Sequence, residues 1–69
     1  MAIIFVNNGV SQHRKQSGLT QAQLAAAVGV TRRTIISLEK GKYTPSLLLA
    51  LQIAHELKTD INELFWLGE

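Results

Sequence analysis

The apolar residues of this chain recur at helical spacing around a central glycine. Leu24 and Val28 fall on one face of a helix, and Ile35 and Leu38 recur three residues apart in a second one. Gly29 stands between the two segments, at a point where only glycine enters the left-handed region without steric cost. The pattern predicts two short amphipathic helices joined by a sharp turn, which is a helix-turn-helix.

Capping residues define the ends of this motif, which we place at residues 21–40. Thr20 and Gln23 have the spacing of a capping box at the start of the first helix, and Thr31 can cap the second. Ala25 lies four residues before the glycine and is small enough for the two helices to cross closely. The local signals and the apolar spacing therefore agree on the same motif.

The flanking segments predict three more helices and two strands. Helices are expected over about residues 10–17, from Pro45 to about Leu57, and from a Thr59 cap through Leu64. The apolar ends of the chain, about residues 2–6 and 65–67, favour short strands. In the fourth helix, Thr44 is the expected cap and Pro45 belongs to the first turn. Its predicted apolar face comprises Leu47, Leu48, Ala50, Leu51, Ala54 and Leu57.

Composition limits the possible functions. The 69 residues are expected to form one domain over residues 1–69, and the absence of cysteine excludes disulfides, thiolate nucleophiles and cysteine-based zinc sites. His13 and His55 are far apart in sequence, so we interpret His13 as a partly exposed packing residue rather than a metal ligand. No paired carboxylates occur in an apolar setting, and we therefore expect neither an enzyme nor a cofactor. No apolar run reaches the length of a membrane span.

The charges are divided between the two halves of the chain. Residues 13–42 carry six basic side chains against one acidic one, a net charge of +5, whereas residues 43–69 carry one against four, a net charge of −3. The positive half coincides with the predicted helix-turn-helix. This distribution indicates a surface that faces a polyanion.

The spacing of many residues at once resembles that of a known family. It is Gly18-Leu19-Thr20-Gln21-x-x-Leu24-Ala25-x-x-Val28-Gly29-Val30-Thr31-x-x-Thr34-Ile35-x-x-Leu38-Glu39-x-Gly41. The pattern is similar to that of the Xre/Cro helix-turn-helix transcriptional regulators, which include the lambdoid phage repressors, and it covers residues 10–64. The resemblance implies an all-α, lambda-repressor-like bundle of five helices with a small antiparallel sheet formed by the two termini. It also implies a homodimer.

In such repressors the second helix of the motif lies in the DNA major groove, with its N-terminal residues at the base edges. By resemblance, the expected base contacts here are Thr31, Arg32, Arg33, Ile36 and Ser37. An arginine fork can donate two hydrogen bonds to guanine, which would allow direct base readout. Contact with phosphates, or a contribution to solubility alone, remains the alternative for the two arginines.

Contacts with the DNA backbone are expected at the ends of neighbouring elements. The candidate residues are Thr20, Gln21, Lys42, Tyr43 and Thr44. The start of the second helix offers free N–H groups and a positive dipole end to a phosphate. For Tyr43, packing over the fourth helix is an equally good interpretation.

The resemblance also implies an ion pair between Arg14 and Glu39. A partly buried, two-pronged pair would tie the first helix to the third, whereas an exposed pair would contribute little to stability. The apolar termini exceed what one small core needs, which favours a homodimer interface over a cover for the protein's own core. The expected interface residues are Ile3, Ile4, Phe5, Val6, Leu64, Phe65, Trp66 and Leu67.

These observations predict a cytoplasmic, sequence-specific DNA-binding regulator. We expect a repressor that binds a pseudo-palindromic operator as a homodimer, with double-stranded DNA as its partner and with no membrane or small-molecule ligand. The alternative is a protein-interaction module, such as the antitoxin of a toxin–antitoxin pair, because that class uses the same fold.

Overall fold

The computed structural model describes residues 5–68, which form five helices and one two-stranded antiparallel sheet. The prediction of an all-α bundle with a small sheet is confirmed. The sheet joins the two ends of the described segment, and the helices pack around a single core. The elements in chain order are β1 (Phe5–Asn8), α1 (Val10–Gln16), α2 (Gln21–Val28), α3 (Arg32–Glu39), α4 (Leu47–Glu56), α5 (Ile61–Leu64) and β2 (Phe65–Gly68).

The helix-turn-helix has the predicted local structure. The Thr20 hydroxyl accepts a hydrogen bond from the Gln23 N–H, and the Gln23 side chain accepts one from the Thr20 N–H, which completes the capping box. Gly29 ends α2 with φ = 76°, and Thr31 caps α3 by accepting from the Thr34 N–H. Short polar side chains and one glycine thus set the boundaries of both helices.

The fourth helix differs from the prediction in both its start and its buried face. Ser46, not Thr44, is the cap, because its hydroxyl accepts from the Leu49 N–H; Pro45 therefore precedes the helix. The face that packs on the core includes Leu49, Ala50, Ile53 and Ala54. The predicted core residues Leu47 and Leu48 are 71% and 66% exposed, and Leu51 is also exposed.

Both strands extend further along the chain than predicted. Strand β1 spans Phe5–Asn8, so it includes the polar Asn7 and Asn8 beyond the predicted end at residue 6. Asn8 pairs with Phe65 and also donates from Nδ2 to the Leu38 carbonyl at the end of α3, at 3.0 Å. This tertiary hydrogen bond extends β1 beyond the apolar run. The predicted strand residues 2–4 lie outside the described residues.

The core is formed by all five helices. Its fully buried side chains are Val10, Leu24, Ile35, Leu38, Ile53 and Leu64. Burial of Ile35 and Leu38 fixes which side of α3 faces inward, and therefore which side chains face outward. Within residues 5–68 no helix has the length and hydropathy needed to cross a membrane.

Candidate nucleic-acid interface

The outward side of α3 presents the residues predicted to contact bases. Arg32 and Arg33 are exposed in the first turn, and Ile36 and Ser37 are half-buried one turn later. Thr31 is exposed, but its hydroxyl already serves the cap and lies 3.1 Å from the Thr34 hydroxyl. An external partner of Thr31 would therefore have to share that oxygen.

The two arginines have different surroundings. Arg32 donates from Nη2 to Gln21 Oε1 at 3.3 Å, which links the start of α3 to the start of α2. Arg33 makes no side-chain hydrogen bond to any of residues 5–68. A guanidinium group has five N–H donors, so both side chains retain a free fork that could meet guanine or phosphate.

The predicted phosphate contacts lie at the ends of α2 and α3. In α2 the capping box uses the N–H groups of Thr20 and Gln23, which leaves those of the residues between them for an external acceptor. Lys42, Tyr43 and Thr44 are all exposed in the loop after α3. Tyr43 is 42% exposed, so its side chain is accessible to an external partner, and both interpretations of this residue stay open.

The loop after α3 is held against that helix by its backbone. The Lys42 N–H donates to the Ser37 carbonyl at 2.9 Å, and the Gly41 N–H donates to the Leu38 carbonyl at 3.0 Å. These bonds close the last turn of α3 and fix where the Lys42 side chain leaves the backbone. The loop residues therefore begin from a defined position beside α3.

Arg14 and Glu39 form a buried, two-pronged ion pair. Arg14 Nε donates to Glu39 Oε2 at 2.7 Å and Nη2 donates to Oε1 at 3.2 Å, while the side chains are only 9% and 6% exposed. Arg14 Nη1 also donates to the Leu19 carbonyl at 2.8 Å. The pair joins α1 to the end of α3, and it neutralises the single acidic residue of the basic segment.

The exposed charges are consequently of one sign around α3. The basic side chains Lys15, Arg32, Arg33, Lys40 and Lys42 are exposed, whereas the acid of this segment, Glu39, is paired inside. Three acidic residues are also exposed: Glu56 on α4, Asp60 in the turn before α5, and Glu63 on α5. The helix-turn-helix therefore offers a positive surface to an anionic partner.

The six predicted dimer residues that the structure describes divide into three groups. Phe5, Trp66 and Leu67 on the sheet are exposed, and Leu67 is 73% exposed. Val6 is half-buried, and Phe65 packs against the core. The prediction for Leu64 is wrong, because its side chain is fully buried inside the helical core and cannot reach a second copy. Two further predicted residues, Ile3 and Ile4, lie outside the described residues.

Sequence analysis missed the structural roles of two residues. Asn8 accepts from the Val10 N–H and donates to the Leu38 carbonyl, so it joins the sheet to both α1 and α3. Gln21 Nε2 donates to Glu39 Oε1 at 3.0 Å, in addition to the contact that its oxygen makes with Arg32. An asparagine before a helix is a recognisable cap signal, but nothing in the local sequence indicates the contacts of Gln21.

The described residues do not form a metal-binding cluster. Between residues 5 and 68 no three His, Cys, Asp or Glu side chains converge in a way that could hold a metal ion. His13 is half-buried beside Gly9, and the Trp66 ring lies on the same side of that glycine. This position agrees with the interpretation of His13 as a packing residue.

Comparison with known proteins gives consistent results. A helix-turn-helix family model matches residues 10–64. An uncharacterized HTH-type transcriptional regulator from Methanothermobacter thermautotrophicus is 56% identical over 61 residues, covering 87% of this chain and 88% of the relative. The HTH-type regulator YgzD from Bacillus subtilis is 44% identical over 64 residues, covering 93% of this chain and 97% of that protein.

A solved structure with the same architecture is that of the restriction-modification controller protein C.AhdI from Aeromonas hydrophila. It superposes with a TM-score of 0.73 at 30% sequence identity, over 78% of this chain and 82% of that one. The relatives and the superposition therefore indicate a helix-turn-helix, which is the motif that α2 and α3 form.

Proposed function

The chain belongs to the Xre/Cro-like helix-turn-helix family of DNA-binding transcriptional regulators, which are not enzymes, and on that premise we propose that it is a sequence-specific repressor. It inserts α3 into the major groove of an operator and reads bases with the outward residues of that helix. The observation that carries this proposal is the orientation of α3. Ile35 and Leu38 are buried, so Arg32, Arg33, Ile36 and Ser37 face outward on a positively charged surface.

The proposed phosphate contacts surround this helix. The free N–H groups at the start of α2, beside Thr20 and Gln21, and the exposed loop residues Lys42, Tyr43 and Thr44 all border α3. Such contacts position a protein on DNA and supply affinity that depends on salt but not on sequence. Base contacts from α3 would supply the preference for one site.

We further propose that the protein acts in the cytoplasm as a homodimer joined through the terminal sheet. Exposed aromatic and aliphatic side chains on both strands, Phe5, Trp66 and Leu67, support this interface. A two-fold axis would present two copies of α3 to successive major grooves about 34–36 Å apart. The operator would then be a pseudo-palindrome with half-sites about 10–10.5 base pairs apart.

Selection of random duplexes by the purified protein, followed by sequencing, tests this proposal. We expect a two-fold symmetric consensus, and reporter expression from a promoter containing it should fall when the protein is present. Recovery of duplexes without any shared sequence would rule out sequence-specific binding. A rise in reporter expression would rule out the repressor role alone.

A second candidate function is a protein-interaction module, such as an antitoxin. The observation in its favour is the exposed leucine surface on α4, which comprises Leu47, Leu48 and Leu51. Exposed apolar patches of this kind often mark interaction sites. A toxin gene adjacent to this one, whose product binds the wild-type protein but not a Leu48→Lys variant, would support this second function.

A further inference from the structure

One peptide bond joins two residues that can react with each other. Asn8 is followed directly by Gly9. In such a pair the backbone nitrogen of the glycine can attack Cγ of the asparagine side chain, because no β-carbon obstructs its approach. The attack expels the amide nitrogen as ammonia and closes a cyclic succinimide, and water then opens the ring to aspartate or to isoaspartate. The reaction needs no enzyme and no co-reactant other than water.

The fold engages both reacting groups in hydrogen bonds. The Gly9 N–H donates to the Leu64 carbonyl at 2.9 Å. The Asn8 side chain is held at both ends, since Oδ1 accepts from the Val10 N–H at 3.1 Å and Nδ2 donates to the Leu38 carbonyl at 3.0 Å. Closing the succinimide removes the Gly9 proton and the Nδ2 atom, so the bonds to Leu64 and Leu38 have to break before it forms. The folded arrangement therefore opposes the reaction.

The bonds that oppose the reaction belong to a small element. Asn8 pairs with Phe65 in the two-stranded sheet, and each strand has only four residues. A two-stranded sheet is marginally stable by itself, and elements with few buried contacts open locally more often than the core does. Local opening of the sheet would release both reacting groups while the helical core stays folded.

We propose that the Asn8–Gly9 bond is a deamidation site that the terminal sheet keeps closed, and that its modification permanently releases the sheet from α3. Aspartate at position 8 can still cap α1 by accepting from Val10, but it has no N–H to donate to the Leu38 carbonyl. Isoaspartate also inserts a methylene group into the backbone of β1, which disturbs its register with β2. Because the ammonia is lost, closing the sheet again does not restore the bond.

Incubation of the purified protein at neutral pH, in buffer and in denaturing urea, tests the proposal. Peptide mapping by mass spectrometry follows the conversion of amide to acid. We expect Asn8 to be modified in both conditions, and at least about tenfold more slowly in the folded protein. The other two asparagines of the chain, Asn7 and Asn62, precede Asn8 and Glu63 instead of a glycine. They are internal controls and should remain amides over the same period.

Amide hydrogen exchange measures the opening of the sheet independently. The slowing of deamidation in the folded protein should match the protection of the Gly9 N–H against exchange, because both reactions remove the same proton. This protection should be lower than that of the N–H groups in the core helices, since the sheet opens without them.

Two variants separate the chemistry from the fold. A β-carbon at Gly9, where φ is −109°, would lie 3.4 Å from the His13 ring and 3.7 Å from the Trp66 ring, so Gly9→Ala should fold normally. Its methyl group hinders ring closure, and the variant should lose most of the modification in urea. Asn8→Asp reproduces the aspartate product and should lower Tm by about 4 °C or more. Asn62→Asp adds the same charge at an exposed position and should leave Tm unchanged.

Four results would overturn the proposal. Equal rates in buffer and in urea would show that the sheet does not protect the bond. An Asn8 amide that persists in urea as long as those of Asn7 and Asn62 would show that the bond is not a reactive site. A slowing that follows the protection of the core helices, and not that of the Gly9 N–H, would show that opening the sheet is not enough. An Asn8→Asp variant with the wild-type Tm would show that the fold does not depend on the bond to Leu38.

Discussion

The Arg14–Glu39 pair gives the sharpest prediction for stability. Replacing Arg14 by alanine removes two hydrogen bonds to the Glu39 carboxylate and one to the Leu19 carbonyl, and it leaves a 6%-exposed carboxylate without its cation. Breaking a buried pair from one side costs about 3–5 kcal/mol. Gln21 still donates to Glu39 in the variant, so we expect a loss near the lower end, about 3 kcal/mol.

A loss of this size is large for so short a chain. At roughly 0.05–0.15 kcal/mol per residue, a domain of 69 residues has a total stability of about 3–10 kcal/mol. Each kcal/mol moves Tm by about 4–8 °C in a domain of this size, so Arg14→Ala should lower Tm by about 12 °C or more. Thermal and urea unfolding followed by circular dichroism measure both quantities. Lys15→Ala, at an exposed neighbour on α1, is the control and should change stability by less than about 0.5 kcal/mol.

A rescue variant separates the stranded charge from lost packing. Arg14→Met combined with Glu39→Leu removes both charges and retains most of the side-chain volume, so it should recover much of the lost stability. If Arg14→Ala melts within about 2 °C of the wild type, the pair contributes no more than an exposed one, and the reasoning from burial is refuted. If the double variant is no more stable than Arg14→Ala, the cost does not arise from an unpaired carboxylate.

Three other predictions follow from the helices and the sheet. Arg33→Ala should cost about 1–3 kcal/mol on the selected duplex and relax one base preference, whereas Lys42→Ala should weaken all duplexes alike and reduce the slope of log K against log[salt] by about one; equal effects of both variants on all duplexes would contradict base reading by Arg33. Trp66→Ala should shift the protein from dimer toward monomer in sedimentation equilibrium at micromolar concentration, and a wild-type monomer that binds a single half-site tightly would contradict the dimer proposal. Ser46→Ala should lower the free energy of unfolding by about 0.5–2 kcal/mol and Thr44→Ala should not, because only the Ser46 hydroxyl caps α4; the reverse order in urea unfolding would place the cap at Thr44.

The helix-turn-helix could be predicted from the sequence because its signals are local. The capping box of Thr20 and Gln23, the glycine at position 29 and the Thr31 cap each act within a few residues. Their physical cause is the set of unpaired N–H and C=O groups at helix ends, which nearby side chains and turns satisfy. No knowledge of the rest of the fold was needed.

The fourth helix could not be predicted as well, because almost every position in its first two turns is apolar. Leu47, Leu48 and Leu49 follow one another, so periodicity alone does not identify the face that turns inward. In the folded protein α4 packs against α2 and α5, and Leu49 is buried in the core while Leu47 and Leu48 stay exposed. Its start was ambiguous for a similar reason, since Thr44 and Ser46 are both good caps.

The sequence predicts which residues lie at the candidate site, but it does not predict the hydrogen bonds between their side chains. Inward-facing Ile35 and Leu38 determine which residues of α3 face outward, and this follows from helical spacing. The contacts of Gln21 with Glu39 and Arg32 depend on how α2 crosses α3 and join residues 18 and 11 positions apart. Contacts of this kind arise only once the helices have packed.

The connection between β1 and β2 has a consequence for the order in which the protein folds. Phe5 pairs with Gly68, so forming the sheet closes a loop that spans the whole described segment. The contacts between α2 and α3, by contrast, join neighbours along the chain and carry a small loop-closure cost. We therefore expect the two helices of the motif to pair before the sheet closes. The proposed DNA-reading surface would then form early in folding, and the proposed self-association surface, which needs both ends of the described segment, would form last.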